Sequence, residues 1–194
     1  MILQTLRKRL QAFWSGNDGS VANEAAILFP VMLMMLMGTY DISRQLLMNQ
    51  KVINASQISA DLISRYRQVD MAIVDDTIQA GMLAMDPFGT DTFGIDMVSI
   101  RFDENLAPEI LWRETRNMLP NDAAVDSLDG LGREGEGMII VTVRFDFDGM
   151  ISEILHDGSM QEVAFARGRR TPTVTMDGWV PPPPPSDGGG GESG

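Results

Sequence analysis

The hydrophobic rhythm of the chain changes three times. Residues 25–38 are an uncharged apolar run, rich in Met and Leu and interrupted only by Pro30. From Asp41 the pattern becomes amphipathic: Ala55, Ile58, Leu62, Tyr66, Val69 and Ile73 recur at steps of three and four, one helical face. Asn49, Gln50, Lys51, Ser56, Gln57, Ser59, Arg65 and Arg67 occupy much of the remaining surface. These two stretches predict one long helix over residues 20–68, its first half in lipid and its second half seated on a domain. Pro30 removes a backbone donor, but membrane helices tolerate proline, so it is expected to bend the helix without ending it. A second helix is expected over residues 76–85. Asp76 and Gln79 have capping-box spacing, Ile78, Met82 and Met85 form the stripe, and Pro87 and Gly89 stop it.

Beyond residue 94 the period falls to two. Ile95, Met97, Ser99 and Arg101 alternate with Asp96, Val98, Ile100 and Phe102, a strand without a clean inner face. Residues 109–115 give a second strand, carrying Trp112. The clearest strand has Ile139, Val141, Val143, Phe145 and Phe147 on one side and Thr142, Arg144, Asp146 and Asp148 on the other. Residues 161–169 give a fourth, with Val163, Phe165 and Arg167 opposite Ala164 and Ala166. Residues 121–137, rich in Asp, Gly and Glu, read as a loop. The predicted class is α+β: a long N-terminal helix packed on a three- to four-stranded antiparallel sheet, its strand order left open. After Arg170 the core residues stop. Pro181 to Pro185 and then Gly188 to Gly191 predict a stiff piece followed by a flexible one, a disordered tail over residues 171–194.

Charge orients this plan. The net charge is −12, yet Arg7, Lys8 and Arg9 against Asp18 leave the first 19 residues at +2 and the other residues at −14. Positive residues before a span place the N-terminus in the cytoplasm and the acidic bulk across the membrane. The expected divisions are a basic leader over residues 1–19, a membrane segment over 20–40, an exported domain over 41–170 and the tail. The acidic balance argues against nucleic-acid binding, which needs a basic footprint. The chain has no cysteine, which excludes a disulfide framework and thiolate metal sites.

One residue conflicts with lipid. Glu24 stands at the mouth of the apolar run, where a carboxylate opposes insertion; at the centre of a span the penalty is roughly 2.5–3.5 kcal/mol, and less near its end. The span over residues 20–40 covers roughly 30 Å as a helix, about one hydrocarbon core. Were the chain cut after Gly19, the amino group of Ser20 would lie one helical turn from Glu24. It could then pair with that carboxylate in the same subunit or a neighbour. An interfacial glutamate at headgroup level is the plain alternative.

Gly19-Ser20-Val21-Ala22-Asn23-Glu24, then Phe29-Pro30, the Met/Leu run and Gly38-Thr39-Tyr40-Asp41-Ile42-Ser43-Arg44 resemble the N-terminal signature of TadE-like pseudopilins of the tight-adherence (type IVc) pilus machinery. Asn23 stands where that family usually has an apolar residue, and Ala25 where it has an aromatic one. The resemblance covers about the first third of the chain. It implies cleavage by a prepilin peptidase between Gly19 and Ser20, Glu24 as an assembly charge, and Pro30, Gly38, Asp41 and Arg44 as motif residues. It further implies a pilin-like fold and a bitopic inner-membrane protein with a periplasmic domain. The implied partners are the membrane, other pseudopilins and the major pilin, the peptidase and the inner-membrane assembly platform. No catalysis and no cofactor are implied.

Other chemistry has less support. His156 is the only histidine and has no nucleophile signature near it. Asp146-Phe147-Asp148-Gly149 with Glu153 falls short of a calcium loop, which needs more oxygen ligands at fixed offsets. The glycine-rich stretch 130–137 lacks the Lys-Ser/Thr pair of a phosphate cradle and carries Glu134 and Glu136. Arg167, Arg169 and Arg170 form a basic cluster that could meet acidic neighbours or lipid headgroups, although a solvated strand end is the simpler reading. Met32, Met34, Met35 and Met37 read as lipid-facing or packing residues, and Gly38 as a point of close helix approach. Two rivals remain: an unprocessed bitopic adaptor with a periplasmic binding domain, and a secreted soluble protein with a conventional signal peptide. Against the second, no Ala-x-Ala site follows the apolar run.

Overall fold

The computed structural model describes residues 18–147 and 158–178. The leader up to residue 17, the tail from residue 179, and Asp148, Gly149, Glu153 and His156 lie outside the described residues. The chain divides into two compact units at Arg44 and Gln45.

The first unit is helical throughout its described part. Helix α1 runs Asp18–Ser64, with Pro30 inside it, so the proline does not end the helix. From residue 23 to 40 every side chain except the half-buried Gly38 is exposed, including the uninterrupted series from Ile27 to Met37. A helix apolar on all sides and covered on none suits hydrocarbon as its solvent.

The second unit begins in the same helix. Its remaining elements are β1 (Gln68–Val69), α2 (Met71–Ala84), β2 (Gly94–Phe102), β3 (Pro108–Arg116), α3 (Asp122–Asp126), β4 (Gly137–Phe147), β5 (Gly158–Ala166) and β6 (Thr175–Met176). The main sheet is antiparallel in the order β3-β2-β4-β5, while β1 and β6 form a two-residue parallel ladder. The architecture is therefore the expected α+β, a long helix on a four-stranded antiparallel sheet.

Alternation along the strands sorts the core into two layers. Ile95 and Met97 of β2, Trp112 of β3, and Ile139, Val141, Val143, Phe145 and Phe147 of β4 share a layer with Met48, Val52, Ala55, Ala60 and Ile63 of α1 and with Val74 and Ile78 of α2. The opposite face is also covered. Val98, Ile100, Phe102 and Ile140 pack with Ala124, Val125 and Leu128 from the segment after β3. This explains why β2 shows no clean inner face in sequence: it is buried on both sides. It also corrects the reading of residues 121–137 as a loop, because α3 lies there and supplies apolar side chains to that second layer.

Three other boundaries differ from expectation. Helix α1 stops at Ser64, where Arg65 and Tyr66 donate backbone bonds to Leu62 and Ile63 in a tighter closing turn, and residues 68–69 join the ladder with β6. Its buried face is turned from the expected one: Ser56, Ser59 and Ala60 are buried, whereas Ile58 is 42 % exposed. Small residues win because α2 comes close; a Cβ on Gly81 would lie 2.8 Å from Ser59 Oγ. Helix α2 begins at Met71, five residues before the expected start. Asp70 is the cap, its carboxylate accepting from the Ile73 N–H at 2.8 Å, while Asp76 and Gln79 lie exposed in the helix interior. The stripe of that helix holds, with Ile78 and Met85 buried and Met82 packed against them. Strand β5 ends at Ala166, short of Arg167 and Arg169.

Candidate membrane-anchoring and assembly site

The N-terminal half of α1 brings the sequence-derived candidates onto one continuous helix. Gly19 and Ser20 lie within it, and Glu24 follows Ser20 by one turn, a rise of about 6 Å along the axis. The Glu24 side chain is exposed, immediately before the apolar series. From residue 23 to 40 the helix extends about 27 Å, close to the ~30 Å of a hydrocarbon core. Among the described residues, one helix is long and apolar enough to cross a membrane, with mean hydropathy 1.7. Met32, Met34, Met35 and Met37 are all exposed on it, Met34 at 73 %.

Polar residues inside the helix satisfy themselves locally. Thr39 Oγ1 donates to the Met35 carbonyl at 2.8 Å, and Ser43 Oγ donates to the Thr39 carbonyl at 2.7 Å. Such back-bonding lets hydroxyls sit at the end of an apolar helix without an unsatisfied group. A Cβ on Gly38 would meet nothing within 4 Å, so the small residue leaves that surface open. Asp41 and Arg44 lie three residues apart and therefore on neighbouring positions of one face. Asp41 is buried and Arg44 half-buried.

The domain carries a second polar constellation that sequence reading missed. Asp96, 1 % exposed, is the third residue of β2. Its carboxylate accepts from Arg113 Nε at 2.9 Å and Nη2 at 2.6 Å, from Thr115 Oγ1 at 2.7 Å, and from the Asn121 backbone N–H at 2.9 Å. Asn121 Nδ2 then donates to Thr142 Oγ1 at 3.1 Å, and Arg113 reaches Asp122 at 2.5 Å. Burial alone would push the Asp96 carboxyl up; the bonds from Arg113, Asn121 and Thr115 outweigh it and hold the group below the usual carboxylate range. Hydrogen bonding to Asp96, reinforced by Asp122, raises the Arg113 guanidinium further. A carboxylate so fully occupied is a poor base and a poor ligand. It ties the segment after β3 to the sheet. One signal was available: aspartate between apolar residues in a strand interior is unfavourable unless paired, and Arg113 and Thr115 alternate on the next strand.

The remaining candidates separate in space or find partners at home. Arg167 pairs with Glu136 at 2.8 Å, and Arg169 pairs with Asp61, so these two cations of the basic cluster engage carboxylates of the same fold. Asp146 pairs with Arg144 at 3.2 Å. Among the described residues, no group of three or more His, Asp or Glu side chains could hold a metal ion.

A family described as TadE-like protein matches residues 19–61, a stretch that begins at the candidate junction and ends within the last turn of α1. No curated protein and no solved structure matches the chain.

Proposed function

From its membership in the TadE-like family, we propose that this chain is a minor pilin or pseudopilin that takes part in assembly or initiation of a type IVc (Tad/Flp) pilus. A prepilin peptidase cuts between Gly19 and Ser20, and the mature chain stays in the inner membrane by residues 20–40. The leader faces the cytoplasm and the sheet domain lies in the periplasm, in keeping with the basic residues ahead of the span. The protein is a building unit and not a catalyst.

The observation that carries this reading is the placement of Glu24 at the head of a continuous, uncovered apolar helix inside the family-matched segment. In low dielectric a carboxylate needs a counter-charge. The amine freed on Ser20 supplies one, either within the subunit or from the next, so assembly is favoured where two such helices meet. Other pseudopilins, the major pilin and the assembly platform are the partners this chemistry suits.

The test is Glu24→Gln in cells that build the pilus. Loss of piliation with the variant still in the membrane fraction supports the assigned charge. Normal piliation refutes it and favours an unprocessed, membrane-anchored adaptor.

A further inference from the structure

We infer that residues 167–177 form a C-terminal latch, a strap that closes the domain over the end of α1 and opens without unfolding the main sheet.

The latch is gripped at three places. At the first, the Arg169 N–H donates to the Ser64 carbonyl at 2.9 Å while its guanidinium pairs with Asp61, which also holds Arg65 at 2.5 Å. At the second, the buried Val174 inserts into the helix-facing core, and its carbonyl receives two side-chain donors, Ser99 Oγ at 2.7 Å and Trp112 Nε1 at 2.8 Å. At the third, the Thr175 and Asp177 N–H groups donate to the Arg67 and Val69 carbonyls at 3.3 and 2.9 Å. Between these points the strap lies against glycine. A Cβ on Gly137 of β4 would fall 2.3 Å from the Pro172 carbonyl oxygen; within the strap, Gly168 makes an equally close turn, where a Cβ would fall 2.3 Å from the Thr171 carbonyl oxygen.

The strap has one buried apolar side chain, Val174, a half-buried Met176 packed against the same core, and a two-residue ladder. The main sheet has four strands covered on both faces. Segments with few buried contacts open at lower free energy than the core they lie on. The opening separates the end of α1 from the chain that leads into Pro181 to Pro185. Tension on the strap therefore acts, through Arg169 and the β1–β6 ladder, on the end of α1. The sheet itself is left intact.

Native-state hydrogen exchange on the full chain in detergent micelles tests this. The amides of Arg169, Thr175 and Asp177 are expected to exchange together, at least about tenfold faster than those of Val141 and Val143 in β4. Gly137→Ala is expected to speed the three latch amides by a further factor of about ten, with Val141 and Val143 unchanged. The double variant Gln68→Cys/Thr175→Cys joins two residues in register across the ladder, in a chain with no other cysteine. Its oxidised form is expected to slow Thr175 and Asp177 towards the β4 rates, and reduction to restore them. Latch amides that exchange no faster than β4 in the unmodified chain would overturn the inference, as would an oxidised pair that leaves their rates unchanged. The unmodified chain and the cysteine pair read the latch even if Gly137→Ala does not fold.

Discussion

Trp112 and Val174 stand 62 residues apart in the chain, and the indole Nε1 of the first donates to the carbonyl oxygen of the second at 2.8 Å. Trp112 is fully buried on an outer strand, and its ring belongs to the layer between sheet and helix. An indole in such a place needs an acceptor, and the strap provides it. Trp112→Phe is expected to cost about 2 kcal/mol, from one lost buried hydrogen bond and the space left by the smaller ring. Denaturant unfolding of the purified protein measures it. A change under about 0.5 kcal/mol would show that the bond and the ring add little.

Asp96 makes stability depend on pH in a stated direction. Its carboxyl lies below the usual range in the folded protein, against about 3.9 when unfolded. The ionised group therefore adds stability that is complete above the unfolded value and is lost as pH falls through the folded one. A thermal melting series below pH 5 should show a falling limb that Asp96→Asn flattens. At neutral pH the same variant leaves Arg113 with Asp122 alone and is expected to destabilise by about 3 kcal/mol. An unchanged acid limb would show that other carboxylates set it.

Ser59 gives the opposite expectation. Its hydroxyl is buried and has no hydrogen-bond partner among the described residues. Ser59→Ala removes an unsatisfied oxygen at the closest approach of α1 and α2. Stability should rise by about 1 kcal/mol, read as a higher melting temperature. A fall would mean that the hydroxyl finds a partner.

The elements of the molecule were not equally legible in sequence. The long apolar N-terminal helix was, since the run from Ala25 to Gly38 carries no charge, and β4 was, since Ile139 to Phe147 alternate cleanly. The turned face of α1 was not. Ile58 looks like a core residue beside Ser59, and the close approach of Gly81, which reverses their roles, is a tertiary fact. The cap at Asp70 was missed because Asp76 and Gln79 satisfy the same local spacing. The pairing of Asp96 with Arg113 depends on β2 and β3 being neighbours in a given register, with Val98 opposite Arg113, which no local pattern encodes. At the candidate assembly site, the junction and the motif residues come from the resemblance, Glu24 also from its place at the mouth of the apolar run, and the structure adds that one unbroken helix carries them.

Membrane attachment gives a further expectation. With residues 27–37 uncovered, the protein should stay with membranes through high-salt and carbonate washes and be released by detergent. Recovery in a soluble fraction without detergent would contradict a spanning helix.

The most direct measurement is the mass of the N-terminal peptide of the protein isolated from cells with an active prepilin peptidase. A mature chain that starts at Ser20, with residues 1–19 removed, is the expected result. An intact end at Met1 in those cells would contradict the proposal that Glu24 meets a newly freed amine.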